Sequence, residues 1–199
     1  RWRRWPVNAW ARISYLLDHR GIPYDDLYRW GGSRWTRAFS SKREGTYVED
    51  VAPWRDGLAA AVVENAALAP RRKLVYLGPG RERRVLLPGR ERELRFGVAG
   101  GALVALSTER RGGAESTRLL GWRSPRSHPA AQPIAVPAGG WILGAEIAAD
   151  ALIVQLVGGG VREDEVWRFT GRWALAERRA LGPVDAEEEP PDPSACRDL

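Results

Sequence analysis

The feature that most constrains this chain is a recurrence. Four short apolar runs, Trp10 to Leu17, Leu58 to Glu64, Leu103 to Thr108 and Leu152 to Val157, begin 48, 45 and 49 residues apart. Before three of them lies another extended segment and a turn: Tyr47 to Ala52 then Pro53 to Gly57, Leu94 to Ala99 then Gly100-Gly101, and Ile142 to Ala148 then Ala149-Asp150. The pairs Val51-Ala52, Val98-Ala99 and Ile147-Ala148 precede the turn each time. After each run come a third segment (Asp26 to Trp30, Lys73 to Gly78, Thr117 to Trp122, Glu165 to Thr170) and a fourth (Arg34 to Phe39, Arg83 to Leu87, Pro133 to Val136, Trp173 to Glu177). Alternating apolar and polar residues broken by Gly and Pro are the pattern of half-buried strands joined by tight turns.

Four strands in a unit of about 45 to 50 residues make a sheet too small to bury both of its faces alone, so successive units must stack. The reading is an all-β fold, a β-propeller of about four blades of four antiparallel strands, either a whole ring or part of a larger one. Its blades cover approximately 1–41, 42–90, 91–138 and 139–183, with Arg1 to Pro6 as the first strand of the first. The small, apolar runs Leu58 to Val63 and Ala102 to Leu106 are expected as innermost strands, and the tryptophans Trp30, Trp35, Trp122, Trp141, Trp167 and Trp173 on or beside outer ones. An open antiparallel sandwich with accidental spacing is the alternative. Residues 184–199 are acidic and Pro-rich and read as a linker or tail.

The longest apolar runs fall far short of the roughly 20 residues of a membrane-spanning helix. Of 31 basic residues only Lys42 and Lys73 are lysine, an arginine preference that a GC-rich coding bias explains. The chain begins with Arg1 and has no Met, which reads as an interior piece of a longer frame. Its one cysteine, Cys196, cannot form an internal disulfide or a Cys-pair metal site. Net charge is +6, but six acids against Arg197 give residues 185–199 a charge of −5, leaving +11 on the rest. The arginines are scattered, so a solvated basic surface explains them better than nucleic-acid binding.

No residue is assigned as catalytic, cofactor-binding or metal-binding. His19 and His128, the two histidines, read as surface-loop residues. Ser14 and Asp18 lie near His19 without making a triad. Asp25-Asp26 and Glu163-Asp164-Glu165 occupy the same point in two units and read as turn-capping carboxylates, not a metal site. Gly158-Gly159-Gly160 reads as a hairpin turn, since no Lys-Ser or Lys-Thr follows it. The interleaved Arg1-Trp2-Arg3-Arg4-Trp5 could stack on bases, but the same alternation suits a strand packed between sheets.

The best internal match sets Asp26-Leu27-Tyr28-Arg29-Trp30-Gly31-Gly32 beside Glu165-Val166-Trp167-Arg168-Phe169-Thr170-Gly171. The first of these, with its closing strand, resembles the blade hairpins of TolB-type propellers and of the propeller domain of prolyl-oligopeptidase-like serine peptidases. That resemblance implies a gating or substrate-filtering domain whose nucleophile sits elsewhere, on a Gly-x-Ser-x-Gly turn of an α/β-hydrolase domain. Gly31-Gly32-Ser33-Arg34-Trp35 lacks the closing glycine, so no catalytic residue carries over. Four-bladed hemopexin-like propellers match the length, but Cys196 has no partner for their closing disulfide.

The functional expectation is therefore a non-catalytic binding or gating module of a larger peptidase-like or TolB-like protein, with a protein or peptide as partner and no cofactor. If it belongs to an enzyme, that enzyme is a serine hydrolase whose catalytic domain lies outside this sequence. The alternatives are an independent four-bladed propeller binding a protein, peptide or glycan, and a basic nucleic-acid-binding protein. Compartment and oligomeric state are not set by the sequence.

Overall fold

The computed structural model describes residues 2–6, 25–30, 33–40, 46–64, 70–79, 82–111 and 114–183. Their regular structure is all β. A three-stranded sheet runs in the order β1 (Trp2–Pro6), β2 (Asp25–Trp30), β3 (Trp35–Ser40). A seven-stranded sheet follows the chain from β4 (Thr46–Trp54) through β5 (Gly57–Glu64), β6 (Arg71–Leu77), β7 (Arg83–Ala99), β8 (Ala102–Arg111) and β9 (Ala114–Trp122) to β10 (Ala130–Pro133). A four-stranded sheet holds β11 (Trp141–Ile147), β12 (Leu152–Gly158), β13 (Val161–Phe169) and β14 (Trp173–Pro183). All pairings are antiparallel, between neighbours in the order.

The seven-stranded sheet is two four-stranded layers sharing one long strand. Residues Arg83 to Pro88 of β7 pair with β6, whereas Glu91 to Ala99 pair with β8. Between them Pro88-Gly89-Arg90 forms the corner, and Gly89 takes φ 90°, a region costly for any residue with a Cβ. Segments 83–87 and 94–99, separate in the sequence reading, are thus one strand turning from layer to layer.

Side-chain alternation then builds the core, because successive residues of a strand point to opposite faces. On β5, Leu58, Ala60 and Val62 join Val75 and Leu77 of β6 in a cluster against Leu27 of β2 and Phe39 of β3. The opposite face of β5, Ala59 and Ala61, packs with Trp54, Leu74 and Tyr76 against Phe96, Leu103, Ala105, Leu120 and Trp122 of the following layer. That layer's other face, Val104, Leu106 and Leu119, meets Leu152, Val154, Leu156 and Phe169 of the last sheet. Four layers therefore stack face to face in chain order. Each fully buried Leu or Val contributes about 1.5–3 kcal/mol, which explains why β5 and β8 are apolar on both faces.

Glycines make room at two of these contacts. A Cβ on Gly121 of β9 would lie 2.6 Å from the Phe169 ring, and one on Gly97 of β7 would lie 3.2 Å from Ile147 of β11. Arginines latch the periphery: the guanidinium of Arg29 donates to Gly78 O (3.2 Å), that of Arg55 to Arg123 O (2.6 Å) and that of Arg123 to Thr170 O. Each accepting residue directly follows the third strand of the next layer.

Several sequence expectations are corrected. The runs at 58–63 and 102–106 are second in their layers, not at an inner edge; β4 comes first, and the second half of β7 precedes β8. Their two-sided burial comes from layers above and below rather than from crowding at an axis. The turn placed at Pro53 to Gly57 shrinks to Arg55-Asp56, with β4 running to Trp54 and Arg55 at φ 56°. The fourth segment placed at 133–136 is β10 at Ala130–Pro133. Trp141 lies on a first strand, β11. β1 pairs directly with β2; the run Trp10 to Leu17 expected between them in the chain lies outside the described residues. The turns at Gly100-Gly101 and Gly159-Gly160 form as expected, all four residues at positive φ.

Candidate functional site

Among the described residues, three of the edges that this pairing leaves open belong to first strands of layers. β4 ends the seven-stranded sheet and β11 ends the four-stranded one. The second half of β7 has β8 on one side, but β6 stops pairing with it at Glu91, so Arg92 to Ala99 has no strand on its other side among the described residues. Two contacts gather the ends of these strands at the Gly100-Gly101 turn: Trp54 Nε1 donates to Gly101 O (3.3 Å), and Gly100 N donates to Ala149 O (2.8 Å).

The open edges surround one cleft of about 740 Å3. Glu49 and Asp50 of β4, Glu93, Leu94 and Arg95 of β7, and Trp141 to Ala145 of β11 line it, with Arg72, Leu106 and Thr108 completing the wall. Each first strand carries a bulge here, where one residue has no partner across the ladder: Glu49 in β4, Arg92 in β7, Leu143 in β11. A bulge bends its strand and re-aims a side chain. Leu143 is thereby exposed.

Arg72 of β6 ties two bulges together. Its Nε and Nη2 reach the two oxygens of Glu49 at 2.7 Å each, and its Nη1 donates to the carbonyl of Arg92. The hydrogen bonds it donates to the Glu49 carboxylate raise the guanidinium pKa further, against partial desolvation. This fork-on-fork pair cancels one acid with one base. What remains on the lining is Asp50, one of whose oxygens accepts its neighbour Val51 N at 2.7 Å, with Glu93 and Arg95. Three acids against two bases make the cleft net negative.

The residues weighed from sequence are elsewhere. His128 is exposed in the loop between β9 and β10, and Gly158-Gly159-Gly160 joins β12 to β13. Asp26 is buried at the start of β2, paired with Arg37 at 3.3 Å. Glu163, Asp164 and Glu165 lie inside β13, which corrects the turn-capping expectation. Buried Glu165 accepts from Arg178 Nη2 (2.9 Å) and from Trp167 Nε1 (2.9 Å). Asp26 and Glu165, matched in the sequence comparison, thus play the same structural part, since each anchors an arginine of the adjoining outer strand. His19, Ser14, Asp18, Cys196 and 184–199 lie outside the described residues, as do the side chains of the Arg1 to Trp5 stretch. Among the described residues no group of three or more His, Cys, Asp or Glu is arranged to hold a metal ion. The cleft lining has no Ser, Cys or His, and no described helix is long and apolar enough to cross a membrane.

The sequence reading missed the cleft. Its lining comes from segments about 45 residues apart, and its one periodic signal was the position of the first strands.

Comparison with solved structures finds a fold likeness. It is to a prolyl endopeptidase. That chain comes from a structural and mechanistic study of two prolyl endopeptidases concerned with inter-domain dynamics in catalysis and specificity; the likeness has a TM-score of 0.55 at 13% identity. It covers 92% of this chain but 27% of the other, so this chain spans about a quarter of that protein's length. No family model matches the sequence, and no curated protein matches it.

Proposed function

We propose that this chain is a propeller-type binding or gating module without chemistry of its own, belonging to a larger peptidase-like or TolB-like protein, and that its ligand is a protein or peptide segment held in the cleft. The observation that carries the reading is the convergence of three first-strand edges on one cleft. Four layers stacked in chain order support blades at approximately 1–41, 42–90, 91–138 and 139–183. The fold likeness to a quarter of a prolyl endopeptidase supports the role of one domain among several. Exposed Leu143 beside Trp141 and the charged Asp50, Glu93 and Arg95 offer both apolar and ionic contacts, the mixture that peptide recognition uses.

The test is retention of a random peptide pool on the immobilised 199-residue chain, compared with a Leu143→Asp variant shown by circular dichroism to be folded. Peptides should be retained by the parent and lost by the variant. Equal retention by both, or none by either at millimolar peptide, would reject the cleft as the binding site.

A further inference from the structure

Resting on that reading, we infer that the cleft takes an extended basic peptide, which adds as a strand to the open edge of β11 with a Lys or Arg side chain directed at Asp50 and Glu93. An antiparallel edge strand turns every second N–H and C=O away from its partner. Among the described residues β11 pairs only with β12, and its residues Trp141 to Ala145 line a cleft of about 740 Å3. Such an edge is a template for a further strand, and main-chain bonds then supply affinity while alternate side chains supply selectivity.

Charge selects the occupant. Residues 1–184 carry +11, yet the cleft lining holds Glu49, Asp50 and Glu93 against Arg72 and Arg95. With Glu49 neutralised by Arg72, Asp50 and Glu93 outnumber Arg95. A basic peptide is repelled by the body as a whole and attracted here, so the field directs it to this place. Trp141 and the bulged Leu143 accept the apolar residues that alternate with the basic ones.

Fluorescence anisotropy on the full chain tests this with labelled nine-residue peptides alternating Lys with Val. One analogue replaces Lys by Glu. Two others are N-methylated at either the odd or the even positions, each removing the N–H groups along one edge of the strand. The Lys peptide should bind at least tenfold more tightly than the Glu peptide. One methylated analogue should lose tenfold or more while the other binds nearly normally. Glu93→Lys, at an exposed position, should weaken the Lys peptide about tenfold. Equal binding of both methylated analogues and the parent would overturn strand addition while leaving the cleft as a peptide site. A Glu peptide binding as tightly would overturn the charge selection. Failure of every peptide would overturn the proposed function itself.

Discussion

The stacking of β9 on β13 can be tested with one methyl group. Gly121 is buried, and a Cβ there would stand 2.6, 2.6 and 2.7 Å from three carbons of the Phe169 ring. Carbon atoms in contact prefer about 3.5–4.0 Å, so Gly121→Ala forces the ring back by roughly 1 Å. Phe169 cannot retreat freely: it is buried in the same cluster as Val104, Leu119 and Leu152, and its ring centroid lies 5.1 Å from that of Trp173. Trp173 is itself fixed by its Nε1 bond to Ala130 O at 3.0 Å. Overpacking of this kind costs about 1–3 kcal/mol, offset by about 0.5–1 kcal/mol because alanine gives up less backbone freedom than glycine. The net expectation is a loss of up to about 2.5 kcal/mol, centred near about 1 kcal/mol. Urea unfolding of parent, Gly121→Ala, Phe169→Leu and the double variant measures it. The double variant should be more stable than the sum of the single losses implies, with a coupling of at least about 0.5 kcal/mol. Additive effects of the two substitutions would refute the face-to-face contact.

Other consequences follow from single residues. Tyr76 is buried, and desolvation, together with its bond to Asp56 (2.5 Å), raises its phenol pKa above the ordinary value near 10. The unfolded chain then releases this proton before the folded one does, so the stability Tyr76 contributes is complete below pH 10 and falls as pH rises beyond it. Ultraviolet titration should show one of five tyrosines ionising late, and Tyr76→Phe should lessen the loss of stability between pH 10 and 11. Glu165→Ala removes the acceptor of Arg178 and Trp167 and should cost about 2 kcal/mol in the same urea assay. Gly89→Ala should cost about 1–2 kcal/mol, chiefly from the positive φ, since the nearest obstacle, Lys73 Cγ at 2.7 Å, belongs to a flexible side chain.

The strand pattern was legible because each layer repeats the same physical requirement. The second strands of the two middle layers are covered on both faces, so Leu58 to Val63 and Ala102 to Leu106 are apolar runs, and in the last layer Leu152, Val154 and Leu156 keep the apolar alternation of the covered face. Gly100-Gly101 and Gly159-Gly160 announce their turns because both residues need positive φ. Pro88-Gly89, however, reads as a break, while in three dimensions it is the corner of a continuous strand. Glu163-Asp164-Glu165 reads as turn-capping carboxylates at the head of a strand, yet all three lie inside β13, where buried Glu165 is paired with Arg178 of β14. The cleft was illegible for a different reason. Bulges at Glu49, Arg92 and Leu143 leave no compositional mark, and an open edge is a property of pairing rather than of any residue.

The central claim is that β4, the second half of β7 and β11 are open edges around a cleft, with β5, β8 and β12 shielded behind them. Residue-resolved amide hydrogen exchange of the intact chain measures this directly. Exchange should be slowest in β5, β8 and β12, with alternating fast and slow amides along 144–147, beyond the bulge at Leu143, as outward and inward N–H groups take turns. Uniform slow exchange along 144–147, equal to that of β12, would mean that this edge is already paired and would contradict the account.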